Sequence, residues 1–305
     1  MRKILILLLF TLVISSCDNK YEAKDPDDVE TINSGKLTIF VDEVLEGIID
    51  STFRMYENDY PNVELTVEYV NSTNTMHQLL GAKSRAVVNA RDYLDAELDQ
   101  MSEFEVEKHK RFPIAHDGLV LFVNKDFPID TLNTSDLENA FKSGQSISDR
   151  TADLDFEPTF ATLDQNSSVY ANFKKYISKS DTLKKKVEIL SDIEELKKQV
   201  ASKNSIIGVA YLSHLVNDSR FKMIELGFQN DSTGEYIRPK PVHQGYIVQD
   251  LYPYKVTYWG YLLENRQNLP FWFVTYLAKQ TIVQQYFLNQ GVVPAFAKIK
   301  LKYEE

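Results

Sequence analysis

Runs of β-branched and aromatic residues alternate with stretches of helical periodicity along almost the whole chain, and this alternation restricts the fold more than any other feature. "KLTIFV" (36–41) is followed by Val44, Leu45, Ile48, Ile49 and Tyr56 on one helical face, so residues 37–57 read as strand then helix. Val63, Leu65, Val67 and Tyr69 alternate with polar neighbours and give a second strand. A short helix around Met76–Leu80 leads to "AVVN", then to Arg91 and a helix through Leu94–Met101. "FPIAHDGLVLFVN" reads as two strand pieces joined by a bend at His116, Asp117 and Gly118. Thr134 or Ser135 can cap a helix through Phe141, and Val169, Phe173 and Ile177 have helical spacing after "PTFATL" and a serine pair. Ser191 with Glu194 matches a capping box for a helix through Val200, "SIIGVAYL" reads as a buried strand, and "FKMIEL" as a further one. Residues 270–288 are apolar, but Lys279, Gln280, Gln284 and Gln285 interrupt the run and Pro270 suits a first helical turn. The segment therefore reads as a core helix, not a membrane span. The result is an α/β fold of mostly parallel sheets. A chain of 305 residues is long for one compact unit, so two lobes are expected.

The N-terminus "MRKILILLLFTLVISSC" carries Arg2 and Lys3, an apolar run from Ile4 to Ile14 and then small residues, the plan of a secretory signal. Cys17 is the single cysteine, and the ending Ile14-Ser15-Ser16-Cys17 resembles the lipobox of bacterial lipoproteins. On that resemblance residues 1–16 are a signal peptide and the mature chain starts at a lipidated Cys17. Residues 17–34, polar and without apolar periodicity, form a flexible tether. Loss of Arg2 and Lys3 lowers the formal charge from −10 to about −12. No basic cluster exceeds Lys184, Lys185 and Lys186, so nucleic acid is not expected as a partner. Motifs for serine hydrolysis, zinc proteolysis, nucleotide loops and dithiol chemistry are absent, and the five histidines (His77, His109, His116, His214, His243) never take metal-ligand spacing. The sequence therefore calls for no enzyme, metal or cofactor. A dispersed carboxylate pair stays open, with nothing to select one.

The remaining signal lies at helix beginnings. Ser167 and Ser168 precede a helix, where unpaired backbone N–H groups and the positive end of the dipole attract oxyanions. Asp42 and Glu43 occupy the corresponding strand-to-helix junction of the first unit. Simple N-capping accounts for either junction alone.

Several stretches in order resemble the phosphate-type (PstS-like) substrate-binding proteins of ABC transporters. "PIAHDGLVLFVNKDFPIDTLNTSDLENAF" resembles the family's hinge-crossing segment, and "SSVYANF" lies where the family has its Ser-Gly-Thr turn. "SIIGVAYL", "LYPYKVTYWGYL" and "QGVVPAF" are similar to its later strands and C-terminal end, "VVNARDYLDAEL" to a segment with an Ala-Arg pair, and "TIFVDEVLEGIID" to lipoprotein relatives carrying Asp-Glu-Ser. The resemblance implies a two-lobed periplasmic-binding-protein (type II) fold in which each lobe is a mostly parallel sheet flanked by helices. Residues 35–115 with 245–305 would form lobe 1 and 116–244 lobe 2, joined by two hinge crossings, one at His116, Asp117 and Gly118. Asp42, Glu43 and Val44 would form one rim of the ligand site, Arg91 would supply a cation, and Ser167, Ser168 and Val169 the opposing donors. From its own surroundings Arg91 reads equally well as a salt-bridge partner of Asp92, Asp95 or Glu97. Leu163 stands where the family often has Arg, Val169 replaces its Thr, and the first loop is acidic. The implied function is a monomeric, lipid-anchored protein on the periplasmic side of a bacterial membrane that delivers phosphate or a similar oxyanion to ABC permease subunits. The alternative is the same fold with a degenerate cleft, used for sensing or surface interaction.

Overall fold

A computed structural model describes residues 30–296. The signal segment 1–16, Cys17, most of the 17–34 tether and the C-terminal residues 297–305 lie outside the described residues.

The strands are β1 (Ser34–Asp42), β2 (Asn62–Val70), β3 (Ala86–Asn89), β4 (Lys110–Asn124), β5 (Thr131–Asn133), β6 (Thr159–Leu163), β7 (Val187–Leu190), β8 (Ile206–Tyr211), β9 (Phe221–Met223), β10 (Glu225–Gln229), β11 (Tyr236–Ile237), β12 (Lys255–Leu262) and β13 (Val293–Pro294). The helices are α1 (Asp50–Asp59), α2 (Ser72–Leu80), α3 (Asp95–Glu103), α4 (Thr134–Ser143), α5 (Ser168–Asn172), α6 (Ile193–Ser202), α7 (Gln244–Val248), α8 (Leu269–Lys279) and α9 (Thr281–Asn289). One curled sheet runs β2-β1-β3-β12-β4-β8-β6-β7, with β13 and β9 also pairing β4, and a small sheet orders β11-β10-β5.

Strand β4 makes this one sheet serve two lobes. Its residues Lys110–Gly118 pair with β12, and from Leu119 to Phe122 it pairs with β8. In the first lobe β1 is parallel to β2 and β3; in the second, β6 is parallel to β7 and β8. Both parallel sets end at the seam between the lobes. Ligands in open α/β sheets bind beyond such carboxyl ends.

One continuous apolar core runs through both lobes and follows the alternation of the sequence. Ile39, Val41, Phe53 and Tyr56 fill one side of lobe 1 with Phe273 and Leu277 of α8, while Phe122, Phe141, Phe160 and Phe173 fill lobe 2. Strand β8 is buried at every position, as "IIGVAY" requires of a central strand.

Some local expectations change. The 37–57 segment does not pass straight from strand to helix: a short 3-10 turn covers Glu43–Leu45, Gly47 takes a positive φ of 78°, and α1 begins only at Asp50. "FPIAHDGLVLFVN" belongs to one continuous strand, because Gly118 and Leu119 exchange partners without leaving extended backbone. Asp192, not Ser191, caps α6 by accepting from Glu195 N at 2.8 Å, and the Glu195 carboxylate returns to Ser191 N at 3.1 Å. The 270–288 helix is broken at Gln280, whose ψ of 126° is extended. Gln284 bridges the break by donating to the Leu277 carbonyl at 2.8 Å. Among the described residues, no helix is long and apolar enough to cross a membrane.

Candidate functional site

Asp42 ends β1 at the seam and is fully buried. Its Oδ2 accepts from Ala90 N at 3.3 Å, and Oδ1 has no hydrogen-bond partner. Burial pushes its carboxyl up to about 6, against the lowering effects of the nearby Ser168 hydroxyl, the Ala90 and Val44 N–H groups and the Arg91 charge. An unpartnered buried oxygen of this kind is unfavourable unless something supplies a proton donor to it.

Ser168 faces Asp42 from the second lobe, also fully buried, as the first residue of α5. Ser167 is its N-cap: Oγ accepts from Tyr170 N at 3.1 Å and donates to the Asp164 carbonyl at 2.6 Å. The Val169 side chain is wholly buried in the lobe 2 core with Phe173 and Ile177. Beyond Asn172 the helix continues as a π-helical turn, Phe173–Ser178.

Arg91 is 2% exposed and meets Glu97 in a two-pronged ion pair, Nη1 to Oε2 at 2.8 Å and Nη2 to Oε1 at 2.6 Å. Nε donates to Ser72 Oγ at 2.7 Å, Nη1 to the Asp92 carbonyl at 2.9 Å, and Nη2 also to the Ser72 carbonyl at 3.5 Å. The five guanidinium protons are therefore all engaged. Of the two roles open from sequence, the geometry shows the salt bridge, with Glu97 as the partner. Arg91 acts on Asp42 by charge, without a hydrogen bond to it.

Val44 contributes its carbonyl, which lies 2.8 Å from His214 Nε2 of the second lobe. Burial holds His214 down to about 4, so the ring is neutral, Nε2–H donates, and Nδ1 is left as an unpartnered acceptor. Further bonds join the lobes: Asn172 Nδ2 to the Ala90 carbonyl at 2.8 Å, Tyr211 OH to the same carbonyl at 3.3 Å, and Thr73 N to the Asn166 carbonyl at 3.0 Å. Glu43 is exposed at the mouth of a cavity of about 570 Å³ that it shares with Glu46, Asp50, Asp164, Asp192 and His214. Partial burial raises its pKa, with Asp164 and Glu46 adding to the effect. The mouth is thus rich in acceptors and negative charge.

At the crossing, His116 Nδ1 contacts Thr257 Oγ1 at 2.9 Å, and Asp117 is fully buried, bound by the Tyr258 hydroxyl and by Ser213 N at 3.4 Å. Burial lifts the Asp117 carboxyl to about 6. A Cβ on Gly118 would come within 3.0 Å of Ile247 and 3.3 Å of Tyr252, so the crossing is closely packed there.

The structure brings Asp42, Ser168 and the Arg91 charge together and places Glu43, Val44 and Ser167 around them. Sequence reading missed Tyr211, Asn172 and His214. The signal for Tyr211 was its place at the carboxyl end of "SIIGVAY"; Asn172 and His214 lie on a short helix and a 3-10 turn whose direction no local pattern sets.

The PBP superfamily domain matches residues 27–280. Among solved structures, a Clostridium perfringens protein assigned as a phosphate ABC transporter substrate-binding protein, with bound phosphate, is 14% identical with TM-score 0.68, covering 86% of this chain and 100% of its own. An ABC-type phosphate transport receptor of Vibrio cholerae is 16% identical with TM-score 0.67, covering 85% and 100%. PstS of Borrelia burgdorferi is 15% identical with TM-score 0.57, covering 85% and 98%. At these identities the likeness is one of fold. No curated protein matches the chain at a significant level.

Proposed function

The chain belongs to the PBP superfamily, and from that premise we propose that it is a solute-binding protein that captures phosphate or a similar oxyanion between its lobes and delivers it to an ABC permease. The structural neighbours are named for phosphate binding and phosphate transport, which supports the ligand class. The observation that carries the reading is the buried Asp42 with an unpartnered Oδ1 opposite the Ser168 hydroxyl, one from each lobe. Such an acceptor calls for a ligand bearing its own proton. Hydrogen phosphate has one, whereas sulfate at neutral pH has none.

Ser168 is the donor from the second lobe, and Arg91, its protons already committed, contributes charge. Val44, Ser167 and Val169 shape the two rims. The acidic mouth, with Glu43 at its edge, disfavours the dianion, so a singly charged form is the preferred cargo. The division into residues 35–115 with 245–305 and 116–244, and the hinge role of His116, Asp117 and Gly118, belong to the same proposal; the partner exchange of β4 at Gly118 supports them. The lipid anchor on Cys17 and a periplasmic position belong to it too, with the sequence of residues 1–34 as their support, and so does a monomeric state.

Isothermal calorimetry with phosphate tests the site. Ser168→Ala is expected to weaken binding at least tenfold, about 1.4 kcal/mol. An affinity unchanged by this substitution would remove the seam as the binding site and leave the fold to a role in sensing or surface interaction.

A further inference from the structure

Ala90 is the first residue beyond β3, and the residues on either side of it are tied down by buried bonds. Asn89 Nδ2 donates to the Ser72 carbonyl at 2.9 Å, and Asn89 Oδ1 accepts from Ser72 Oγ at 2.9 Å. Arg91 Nε donates to Ser72 Oγ at 2.7 Å, and the Arg91 carbonyl accepts from Tyr261 OH at 3.0 Å. The Ala90 carbonyl is therefore presented to the second lobe as a fixed acceptor. The donor opposite it is aimed as firmly. Asn172 Nδ2 lies 2.8 Å from the Ala90 carbonyl and 2.8 Å from Tyr211 OH. An amide nitrogen carries two protons and no acceptor lone pair, so one proton goes to each oxygen. Tyr211, in the same lobe as Asn172, thus orients the amide, and the remaining proton reaches across the seam. Asn172 is 3% exposed, and Ala90 and Tyr211 are fully buried. The Thr73–Asn166 and His214–Val44 bonds stand closer to water, because Asn166 is exposed and His214 borders the cavity.

We propose that Asn172 is the latch of the cleft: its bond to the Ala90 carbonyl holds the two lobes closed, with or without an anion between them. Donor and acceptor both belong to the chain and are both pre-organised, so little side-chain freedom is lost when the contact forms. Buried from water, the bond has no competitor, and parting the lobes breaks it. Ala90 also connects the latch to Asp42, since its N–H donates to Asp42 Oδ2 at 3.3 Å while its carbonyl accepts from Asn172. The consequence for the cargo rests on the reading that an anion binds between the lobes. A contact made equally in the free and the loaded chain adds nothing to the equilibrium preference for the anion. It acts on the rates instead. The lobes must part for the anion to enter or leave, so the latch slows both steps.

Small-angle X-ray scattering of the full chain, with no anion added, tests the latch. Wild type is expected to scatter as a closed chain whose radius of gyration does not fall when phosphate is added. Asn172→Asp keeps the size of the side chain but sets an acceptor against the Ala90 carbonyl. Measured at about pH 8, where a carboxylate is charged, its radius of gyration is expected to rise above that of wild type while the circular dichroism is unchanged. A wild-type profile that fits separated lobes, a wild-type chain that contracts on addition of phosphate, or an Asn172→Asp chain with the wild-type radius would each overturn the proposal. If Asn172→Asp does not fold, the two wild-type measurements decide it. Failure of the phosphate reading appears separately, as an absence of heat in calorimetry, and leaves the scattering without anion as a test of the latch.

Discussion

Asp42 holds its proton to an unusually high pH because β1 delivers it to a position without water. Its folded value of about 6 exceeds the ordinary 3.8, so the folded chain binds a proton more tightly than the unfolded one. The stability it contributes is present below about pH 4 and is lost as pH rises through 6, by an amount on the order of 3 kcal/mol. Asp42→Asn is therefore expected to be more stable than wild type at pH 7, with the advantage vanishing near pH 4; urea unfolding at the two pH values measures it. His214 acts with the opposite sign, its stabilisation being lost as pH falls from about 6.5 towards 4, so each comparison is made between chains at one pH. Arg91 and Glu97 form the other residue-scale test. Removing either side chain leaves a buried charge unpaired, so Arg91→Ala and Glu97→Ala should each lower the unfolding free energy by about 3 kcal/mol. A loss below about 1 kcal/mol in denaturant would show the pair to be a surface-like contact. The sequence offered Arg91 both roles because three acids follow it within six positions. Only the turn into α3, which carries Glu97 back to the guanidinium, decides between them.

At the scale of elements, the strands were legible and their joints were not. "IIGVAY" (206–211) and "AVVN" form strands buried at every residue, as their composition requires. A strand that changes partners midway has no local signature, so the His116-Asp117-Gly118 interruption read as a bend although β4 runs straight through it. The break at Gln280 was hidden for a similar reason, because no Gly or Pro marks it and the carbonyl it frees is served by Gln284 from the next helix. Two substitutions test the packing inferred here. In β8, a Cβ at Gly208 would lie 2.4 Å from the Phe122 ring and 2.8 Å from Val200, so Gly208→Ala should destabilise by about 1–3 kcal/mol. Ser167→Ala removes the cap of α5 and should cost about 1 kcal/mol. Thermal unfolding reports both, and an unchanged midpoint would count against the packing at either position.

Over the whole molecule, the two lobes meet through hydrogen bonds whose donors and acceptors come from the loops, helical turns and short helices that follow parallel strands. The order of segments along the chain gave the two-lobed arrangement, since family-like stretches recur in sequence from Gly35 onward. The cross-lobe pairings of Asn172 with Ala90, His214 with Val44 and Thr73 with Asn166 were not legible, because they join residues 82 to 170 positions apart in sequence by tertiary folding alone. The central claim is that this seam selects an oxyanion carrying a proton. Calorimetric titration of the chain with phosphate and with sulfate at the same pH tests it most directly. The account predicts heat of binding with phosphate and at least tenfold weaker binding of sulfate, a difference of about 1.4 kcal/mol. No heat from either anion up to roughly millimolar concentration, or equal affinity for both, would contradict it.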